Sequence, residues 1–218
     1  MDVQEVLGSP VIAISRAGLV EYEEALAMQR QFHREIVAGQ RTNSLILLEH
    51  PSVYTAGKRT QDFERPSDGT PVIDVDRGGR ITWHGPGQIV GYPIVRLAKP
   101  TELVGFVRTL ESALIEACST FGISAQRVDG RSGVWVCDEM GERKIVAIGI
   151  RVASGVTMHG FALNVAPDLA KFGQIVPCGI DDAAVTSMAR ELKREISISE
   201  VISIVEEKVS QALGKVCA

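Results

Sequence analysis

The stretch RKIVAIGIRVASGVTMHGFALNV, residues 143–165, decides the fold. Its first part is rich in β-branched residues and follows the run SGVWVCD and the short turn EMGE, whereas its second part follows a Ser-Gly step. Such runs predict consecutive strands, because Val and Ile favour extended backbone and the turn residues between them interrupt it. Strands joined by tight turns pair antiparallel, so this centre of the chain predicts a hairpin-rich sheet.

Helical periodicity surrounds this centre. Residues 18–39 place apolar side chains such as Leu26 and Ile36 on one face and end at a glycine, so they predict a helix of about five turns. Residues 100–123 predict a second helix, with Cys118 on its apolar face. Cys118 is therefore predicted to be a core residue.

The C-terminal third predicts two more helices. The first spans residues 181–194, with Asp181 or Asp182 as its cap, and the last opens at Ser197 with the spacing of a capping box. Cys217 belongs to the tail after this helix, where we expect it to do no chemistry.

Further strands precede the second helix. Residues 43–51 form a short apolar run that ends at Pro51, and residues 71–97 alternate on both sides of Gly78-Gly79, which predicts a hairpin. Together these elements predict an α/β (α+β) fold in which helices pack on one face of a mixed, largely antiparallel sheet. The length of 218 residues predicts a single domain over residues 1–218.

Composition excludes several classes of function. A net charge of −4 gives no support for nucleic-acid binding. No apolar run approaches the roughly 20 residues that cross a bilayer, and the first residues do not have the pattern of a secretion signal, so we expect no membrane association and a cytoplasmic location. The four cysteines form no C-x-x-C pair, so we expect neither a structural metal site nor a disulfide framework.

The candidate catalytic residues are Cys178 and Lys144. Cys178 stands between Pro177 and Gly179, on a turn that cannot easily continue a helix or strand. Lys144 opens an apolar run, at the edge of a region without water, where desolvation favours the neutral amine. A thiolate nucleophile and a lysine proton carrier could work together. The alternatives remain a small residue that fills a turn and an exposed lysine at a strand start.

Glycines cluster in the segment RGGRITWHGPGQIVG, residues 77–91, which matches neither the dinucleotide fingerprint nor a phosphate-binding loop. Such a segment lets backbone approach a ligand closely, although turns alone would also explain it. Trp83 and His84 add a flat apolar surface and a polar tip.

Five segments together resemble the lipoyl (octanoyl) transferase family of the lipoate pathway. In the family's order they are RGGRITWHGPGQIVGYPI (77–94), GRSGVWV (130–136), KIVAIGIRV (144–152), TMHGFALNVAPDL (157–169) and IVPCGI (175–180). The resemblance covers roughly residues 45–188, about two-thirds of the chain. The order of the segments makes the resemblance specific, since any one of them alone would be weak.

The resemblance implies a fold of the biotin/lipoate protein ligase type. It implies transfer of an octanoyl chain from octanoyl-acyl carrier protein to a lysine on lipoyl domains of 2-oxoacid dehydrogenases and on the glycine cleavage H protein, with no ATP or metal. Cys178 would carry the acyl group as a thioester and Lys144 would be its acid/base partner. The substrate pocket implied by the matching positions comprises Arg77, Gly78, Gly79, Arg80, Ile81, Thr82, Trp83, His84, Ala147, Ile148, Gly149, Gly160, Phe161 and Ala162.

Three alternatives differ from this hypothesis in their chemistry. An ATP-dependent lipoate or biotin ligase of the same fold would activate a free acid and need no thiol. A cysteine hydrolase would pair Cys178 with His84 or His159 and use water as the acceptor. A non-catalytic acyl-binding module would bind its ligand whether or not the thiol is present.

Overall fold

The computed structural model describes residues 12–67, 69–99, 101–175 and 184–218. Short 3₁₀ turns cover Asp62–Glu64 and Leu169–Gln174. The remaining elements are β1 (Ala13–Leu19), α1 (Tyr22–Val37), β2 (Ser44–Glu49), β3 (Val53–Ala56), β4 (Val72–Asp74), β5 (Thr82–His84), β6 (Gln88–Ile94), α2 (Leu103–Thr120), β7 (Gln126–Val128), β8 (Arg131–Asp138), β9 (Gly141–Ala153), β10 (Val156–Asn164), β11 (Ala184–Val185), α3 (Met188–Leu192) and α4 (Ile198–Leu213).

The main sheet has the strand order β1-β2-β6-β10-β9-β8-β7, and β11 pairs with one end of β9. Only the pairs β1/β2 and β9/β11 are parallel among those described for this sheet. The predicted mixed, largely antiparallel sheet is therefore confirmed.

The hairpin of β9 and β10 is the centre of this sheet. Its register runs from Ala153↔Val156 to Val146↔Leu163, and its turn is Ser154-Gly155 with φ angles of 51° and 74°. Two consecutive residues with positive φ match the right-handed twist of the flanking strands. Residues 143–165 therefore form the longest strand pair of the fold.

Helices cover both faces of the main sheet, so the prediction that they pack on one face is wrong. Leu45 and Leu47 of β2 belong to the core beneath α2 and α4, whereas Ile46 and Leu48 pack with α1. Successive side chains of a strand point to opposite faces, and β2 is apolar at each of these positions. A strand buried on both sides requires helices on both sides.

A smaller sheet of three strands has the order β4-β3-β5. The hairpin predicted around Gly78-Gly79 is therefore wrong, because β3 lies between β4 and β5. The segment between these strands instead bonds to the chain that follows β3: the N–H groups of Lys58 and Arg59 donate to the carbonyls of Arg77 and Gly79. The alternation in the sequence identified β4 and β5, but it did not show that β3 lies between them.

Two helices start later than predicted. The first begins at Tyr22 because residues 18 and 19 belong to β1, which pairs with β2 in parallel. The short helix α3 begins at Met188, and Ser187 caps it by accepting the Arg190 N–H at 3.3 Å. Asp181 and Asp182, the predicted caps, lie outside the described residues.

Other local predictions are confirmed. Ser197 and Glu200 form a reciprocal capping box at the start of α4. Cys118 is fully buried in the core, and burial raises the pKa of its thiol to about 12. Among the described residues, no helix has the length and apolarity that a bilayer crossing requires.

Candidate active site

A cavity of about 240 Å³ opens on the face of the main sheet that α1 covers. Strands β6, β9 and β10, the start of α1 and the loops before β5 and β8 surround it. Its lining comprises Tyr22, Arg59, Arg77, Gly79, Arg80, Thr82, His84, Val90, Tyr92, Gly130, Arg131, Ser132, Lys144, Ala147, Ile148, Gly149, His159, Gly160, Phe161 and Ala162.

Most residues of the predicted pocket lie in this lining, together with Lys144. Gly78, Ile81 and Trp83 do not line it. The side chains of Ile81 and Trp83 pack into a neighbouring apolar cluster, where the Trp83 and Phe172 rings meet edge to face at 5.4 Å. The flat ring of Trp83, which was expected to line the pocket, therefore packs in this apolar cluster and not against the cavity.

Arg77 is a structural arginine in the cavity wall. Its buried guanidinium donates to the carbonyl and hydroxyl of Thr55 and to the carbonyl of Arg80. It also packs against Gly149 of β9, where an added Cβ would lie 3.0 Å from the Arg77 Cδ. The loop that carries Gly79 and Arg80 is thus fixed to the strands on either side of the cavity.

Tyr22, His84 and Tyr92 line the floor of the cavity, and the buried His50 ring packs against all three. We call these four residues the aromatic floor. The His50 Nδ1 lies 2.7 Å from the carbonyl of Val20, and the His50 Nε2 lies 2.7 Å from the Tyr92 hydroxyl. A carbonyl only accepts, so Nδ1 carries the proton. In the neutral imidazole Nε2 then accepts from the Tyr92 hydroxyl.

Burial keeps both histidines of the aromatic floor neutral. Desolvation lowers the pKa of His50, and it lowers the pKa of His84 to about 3, with a further contribution from the nearby His50. Burial also raises the pKa of Tyr22 to about 12. The floor of the cavity thus carries no charge near pH 7, which suits an apolar ligand that needs no counter-ion.

A buried chain of hydrogen bonds leads from the aromatic floor to the strand that carries Lys144. The Gln88 side chain accepts from His84 at 3.0 Å and donates to Asn164 at 2.9 Å. Asn164 donates to the carbonyl of Thr186, whose own N–H donates to the carbonyl of Lys144. These bonds fix the distance between the floor and the lysine.

Lys144 lies near the start of β9, between two partner strands. Its register partners are Trp135 on β8 and Val185 on β11. The side chain is 8% exposed, and its Nζ lies 4.6 Å from the centroid of the Trp135 ring. Among the described residues, no carboxylate forms an ion pair with this ammonium group, so its charge faces the cavity and the indole.

His159 forms a carboxylate pair at the opposite side of the cavity. Its Nε2 lies 2.7 Å from Asp76, which also contacts Arg151. Burial alone would raise the pKa of Asp76, but the His159 hydrogen bond and the nearby charges lower it. Desolvation lowers the pKa of His159 itself. Its φ of 59° is unusual for a residue with a side chain, and Gln29 stabilises it by accepting the His159 N–H at 2.9 Å.

Arginines mark the rim of the cavity. Arg80 donates to the fully buried Glu64 at 2.7 Å, and Arg131 pairs with Glu142 at 3.1 Å. Arg59 is exposed at the same rim. The rim therefore carries arginine side chains, two of them paired with carboxylates, above a neutral floor.

Cys178 lies outside the described residues. The described residues nearest to it in the chain are Ile175, which packs in the cluster around Trp83, and Ala184, which begins β11. Within the described ranges, no group of three or more His, Cys, Asp or Glu side chains could hold a metal ion.

Sequence reasoning missed several cavity residues. The segment GRSGVWV contributed to the resemblance, and its first residues could have been added to the pocket on that basis. Tyr22 and Tyr92 gave no such signal, because each falls among ordinary apolar positions of its own element. The missed residues are Tyr22, Arg59, Val90, Tyr92, Gly130, Arg131 and Ser132, whereas His159 was considered only as a hydrolase partner of Cys178.

Comparison with known proteins identifies the family. A family model described as the lipoyl protein ligase A/B catalytic domain matches residues 21–210. An octanoyltransferase of Salinispora tropica is 57% identical over 200 residues, which cover 91% of this chain and 94% of that protein. An octanoyltransferase of Acidothermus cellulolyticus is 56% identical over 204 residues, which cover 93% of this chain and 92% of that protein.

Solved structures share the fold at low identity. A bipartite lipoate protein ligase of Thermoplasma acidophilum superposes with a TM-score of 0.67 at 16% identity, covering 92% of this chain and 84% of that one. A lipoate-protein ligase A bound with ATP gives 0.64 at 14% identity, covering 94% and 85%. The predicted ligase-type fold is therefore confirmed, and the chain belongs to the lipoyl protein ligase A/B catalytic-domain family.

Proposed function

We propose that this protein is an octanoyltransferase, which moves an octanoyl group from octanoyl-acyl carrier protein to a lysine of a lipoyl domain through a thioester on Cys178. The observation that carries the proposal is the position of Lys144, whose ammonium group lies in the cavity wall without a carboxylate partner among the described residues. The octanoyltransferase names of relatives that are more than half identical over most of the chain support the same activity.

The described chain on both sides of Cys178 lies beside this cavity. Ala184 follows Cys178 by six residues and pairs with Arg143, next to Lys144. Ile175 precedes Cys178 by three residues. Ile175 packs with Trp83, and the chain neighbours of Trp83, Thr82 and His84, line the cavity.

The first half-reaction exchanges one thioester for another. The proton of the Cys178 thiol passes to Lys144, which holds it as an ammonium group, and the thiolate attacks the carbonyl carbon of the octanoyl donor. A bond forms between the Cys178 sulfur and this carbon, and the bond to the carrier's sulfur breaks. The carrier thiolate leaves and receives the proton that Lys144 had taken.

The second half-reaction converts the thioester into an amide. The neutral amine of the acceptor lysine attacks the carbonyl carbon on Cys178, so that a carbon–nitrogen bond forms and the carbon–sulfur bond breaks. Lys144 takes a proton from the attacking nitrogen and passes it to the Cys178 thiolate. The enzyme returns to its starting state, and the two steps predict ping-pong kinetics.

This energy balance supports a reaction without ATP or a metal. Exchange between two thioesters is nearly neutral in free energy, and formation of an amide from a thioester is downhill. The absence of a cofactor remains part of the proposal.

The cavity suits the acyl chain. Burial of about six methylenes at roughly 0.8 kcal/mol each contributes on the order of 5 kcal/mol to binding. Val90, Ile148, Phe161 and Ala162 supply apolar wall, and the aromatic floor is neutral where the chain would end.

We infer acyl carrier protein as the donor, and lipoyl domains of 2-oxoacid dehydrogenases and the glycine cleavage H protein as acceptors. The single-domain organisation and the cytoplasmic location expected from the sequence stay predictions.

Transfer in the absence of ATP tests the proposal. Purified protein is mixed with octanoyl-acyl carrier protein and a lipoyl domain, and the mass of the domain is followed. We expect the domain to gain one octanoyl group without ATP, whereas Cys178→Ala gives no gain. Transfer that requires ATP and free octanoic acid, accompanied by exchange of labelled pyrophosphate into ATP, would instead establish a ligase.

A further inference from the structure

Trp135 is the register partner of Lys144 in the antiparallel pair of β8 and β9. The ring of Trp135 is almost completely buried, and its centroid lies 4.6 Å from the Lys144 Nζ. An ammonium group over the face of an indole is attracted by the negative potential of the ring. The proton carrier of the proposed reaction is therefore held against an aromatic surface rather than against a carboxylate.

Gly133, two residues before Trp135, lies beside the stem of the same lysine. A Cβ at Gly133 would lie 3.6 Å from the Lys144 Cε and 2.4 Å from the carbonyl oxygen of Val146. The second distance excludes a side chain without movement of β9, and the φ of Gly133, 110°, also disfavours one. The lysine stem thus contacts bare backbone before its ammonium reaches the indole.

Glu111 of α2 fixes this backbone from the other side. Its carboxylate is fully buried and accepts the Gly133 N–H at 2.9 Å. It also accepts from Arg108 at 2.9 Å and from Arg127 at 3.0 Å. Two guanidinium groups compensate the buried charge of Glu111. Its carboxylate can therefore fix the Gly133 peptide beside Lys144.

We propose that Trp135 is a positioning residue that holds the Lys144 ammonium group at the cavity wall through the face of its indole ring, on a backbone fixed by Gly133 and Glu111. The proposal rests on the proposed function, because it assigns Lys144 the proton transfers to and from Cys178. Trp135 does not line the cavity, so it acts on the rate through Lys144. The Arg131 guanidinium lies farther from the same ring, at 5.8 Å, and pairs with Glu142.

Two aromatic replacements of equal shape test the role of the ring face. Phenylalanine at position 135 keeps a negative ring face, whereas pentafluorophenylalanine at the same position keeps the shape and removes that face. From the usual strength of such contacts, we expect kcat to fall about fivefold to tenfold from the first variant to the second. KM for octanoyl-acyl carrier protein should stay within about twofold, because the apolar walls are unchanged. A purely structural role for Trp135 would give equal kcat in the two variants.

Phe106→Leu is the matched control for loss of a buried aromatic ring. Phe106 lies in α2 within the core and does not line the cavity. This variant should lower the melting temperature and leave kcat per folded molecule within about twofold. Equal kcat for the two aromatic variants at position 135, or a change in KM alone, would overturn the proposal.

The same samples separate this inference from the proposed function. A wild-type protein that forms no octanoyl thioester would contradict the proposed function. A wild-type protein that forms the thioester, together with equal kcat in the two ring variants, would contradict only the role of Trp135.

Discussion

Beneath α2 and α4 the main sheet buries leucine, isoleucine and valine, whereas the side that α1 covers adds buried polar residues such as Tyr92 and His159 to apolar ones such as Ile46. The first face, which we call the apolar face, contains few polar side chains, and the buried Glu111 is fully paired there. The second, the cavity face, contains the aromatic floor and the His159–Asp76 pair. The contrast separates two tasks. The apolar face stabilises the fold, whereas the cavity face stabilises it less because polar groups are buried around a cavity.

A change at Lys144, on the cavity face, should have the largest effect. We expect Lys144→Met to lower octanoyl transfer by on the order of 10² to 10⁴, the usual contribution of proton transfer by a positioned side chain. The melting temperature should change little, because the methionine keeps an apolar stem over Gly133. The measurement is the single-turnover rate of transfer to a lipoyl domain.

Lys99→Met is the control for Lys144→Met, because Lys99 is 72% exposed and lies away from the cavity. Its rate should equal that of the wild type. A Lys144→Met protein that transfers as fast as this control would remove the lysine from the mechanism.

A change on the apolar face should show the opposite pattern. Leu114 of α2 is fully buried, so Leu114→Ala should lower the free energy of unfolding by about 3 kcal/mol through lost contacts and a cavity. Its kcat/KM per folded molecule should remain that of the wild type. Chemical denaturation and the transfer assay measure the two quantities.

Val104→Ala provides the reference for Leu114→Ala, since Val104 lies in the same helix and is 73% exposed. Its unfolding free energy should change by less than about 0.5 kcal/mol. A strong loss of kcat/KM in Leu114→Ala would show that the two faces are not functionally separate.

The depth of the cavity should set the preferred chain length. Ala162 lines the apolar wall, and Ala162→Leu would fill space that the last methylenes occupy. At roughly 0.8 kcal/mol per methylene, we expect kcat/KM for octanoyl transfer to fall by on the order of tenfold relative to butanoyl transfer. Competition between octanoyl and butanoyl carrier proteins measures the ratio.

Ala162→Gly leaves the cavity open and should preserve the preference for octanoyl. An unchanged ratio in Ala162→Leu would place the acyl chain elsewhere.

The smallest expected effect is the pH dependence of stability on the cavity face. Burial lowers the pKa of His50 below its unfolded value of about 6.5. The unfolded state then binds more protons as pH falls below about 6.5, so the folded state loses stability towards acid, by up to about 1.4 kcal/mol per pH unit for each such histidine. Denaturation at pH 7.5 and 5.5 (values chosen to bracket that pKa) measures the loss.

His50→Gln removes one of these titrating groups and should flatten the pH dependence, whereas Tyr92→Phe keeps the histidine and should retain it. The lowered pKa values of His84 and His159 leave part of the slope in both variants. Stability that stays level or rises between pH 7.5 and 5.5 in the wild type would contradict the neutral histidines.

The sequence predicted the two faces unequally. Periodicity identified the apolar sides of α2 and α4, since residues such as Leu110 and Leu114 recur at helical spacing. The residues of the aromatic floor come from four separate elements and meet only through the parallel pairing of β1 with β2 and the order β2-β6-β10. The run AISRAGL of β1 lacks alternation, so neither this strand nor the position of Tyr22 after it could be predicted.

Lys144 shows a second limit. Its place at the start of an apolar strand was evident from the sequence, and so was the short turn that joins this strand to the preceding one. The contact with Trp135 depends on the register of β8 and β9, which includes a shift between Val134 and Trp135. The hydrophobic pattern and the turn specify the general register of two strands, but they do not show where an irregularity shifts the pairing.

The central claim is that Cys178 carries the octanoyl group between donor and acceptor. The most direct measurement is the intact mass of the protein after incubation with octanoyl-acyl carrier protein alone. The account predicts a gain of one octanoyl group that is lost when a lipoyl domain is added and that is absent in Cys178→Ser treated in the same way for the same short time. An unmodified wild-type protein that still transfers octanoyl groups, or a gain of mass on a residue other than Cys178, would contradict it.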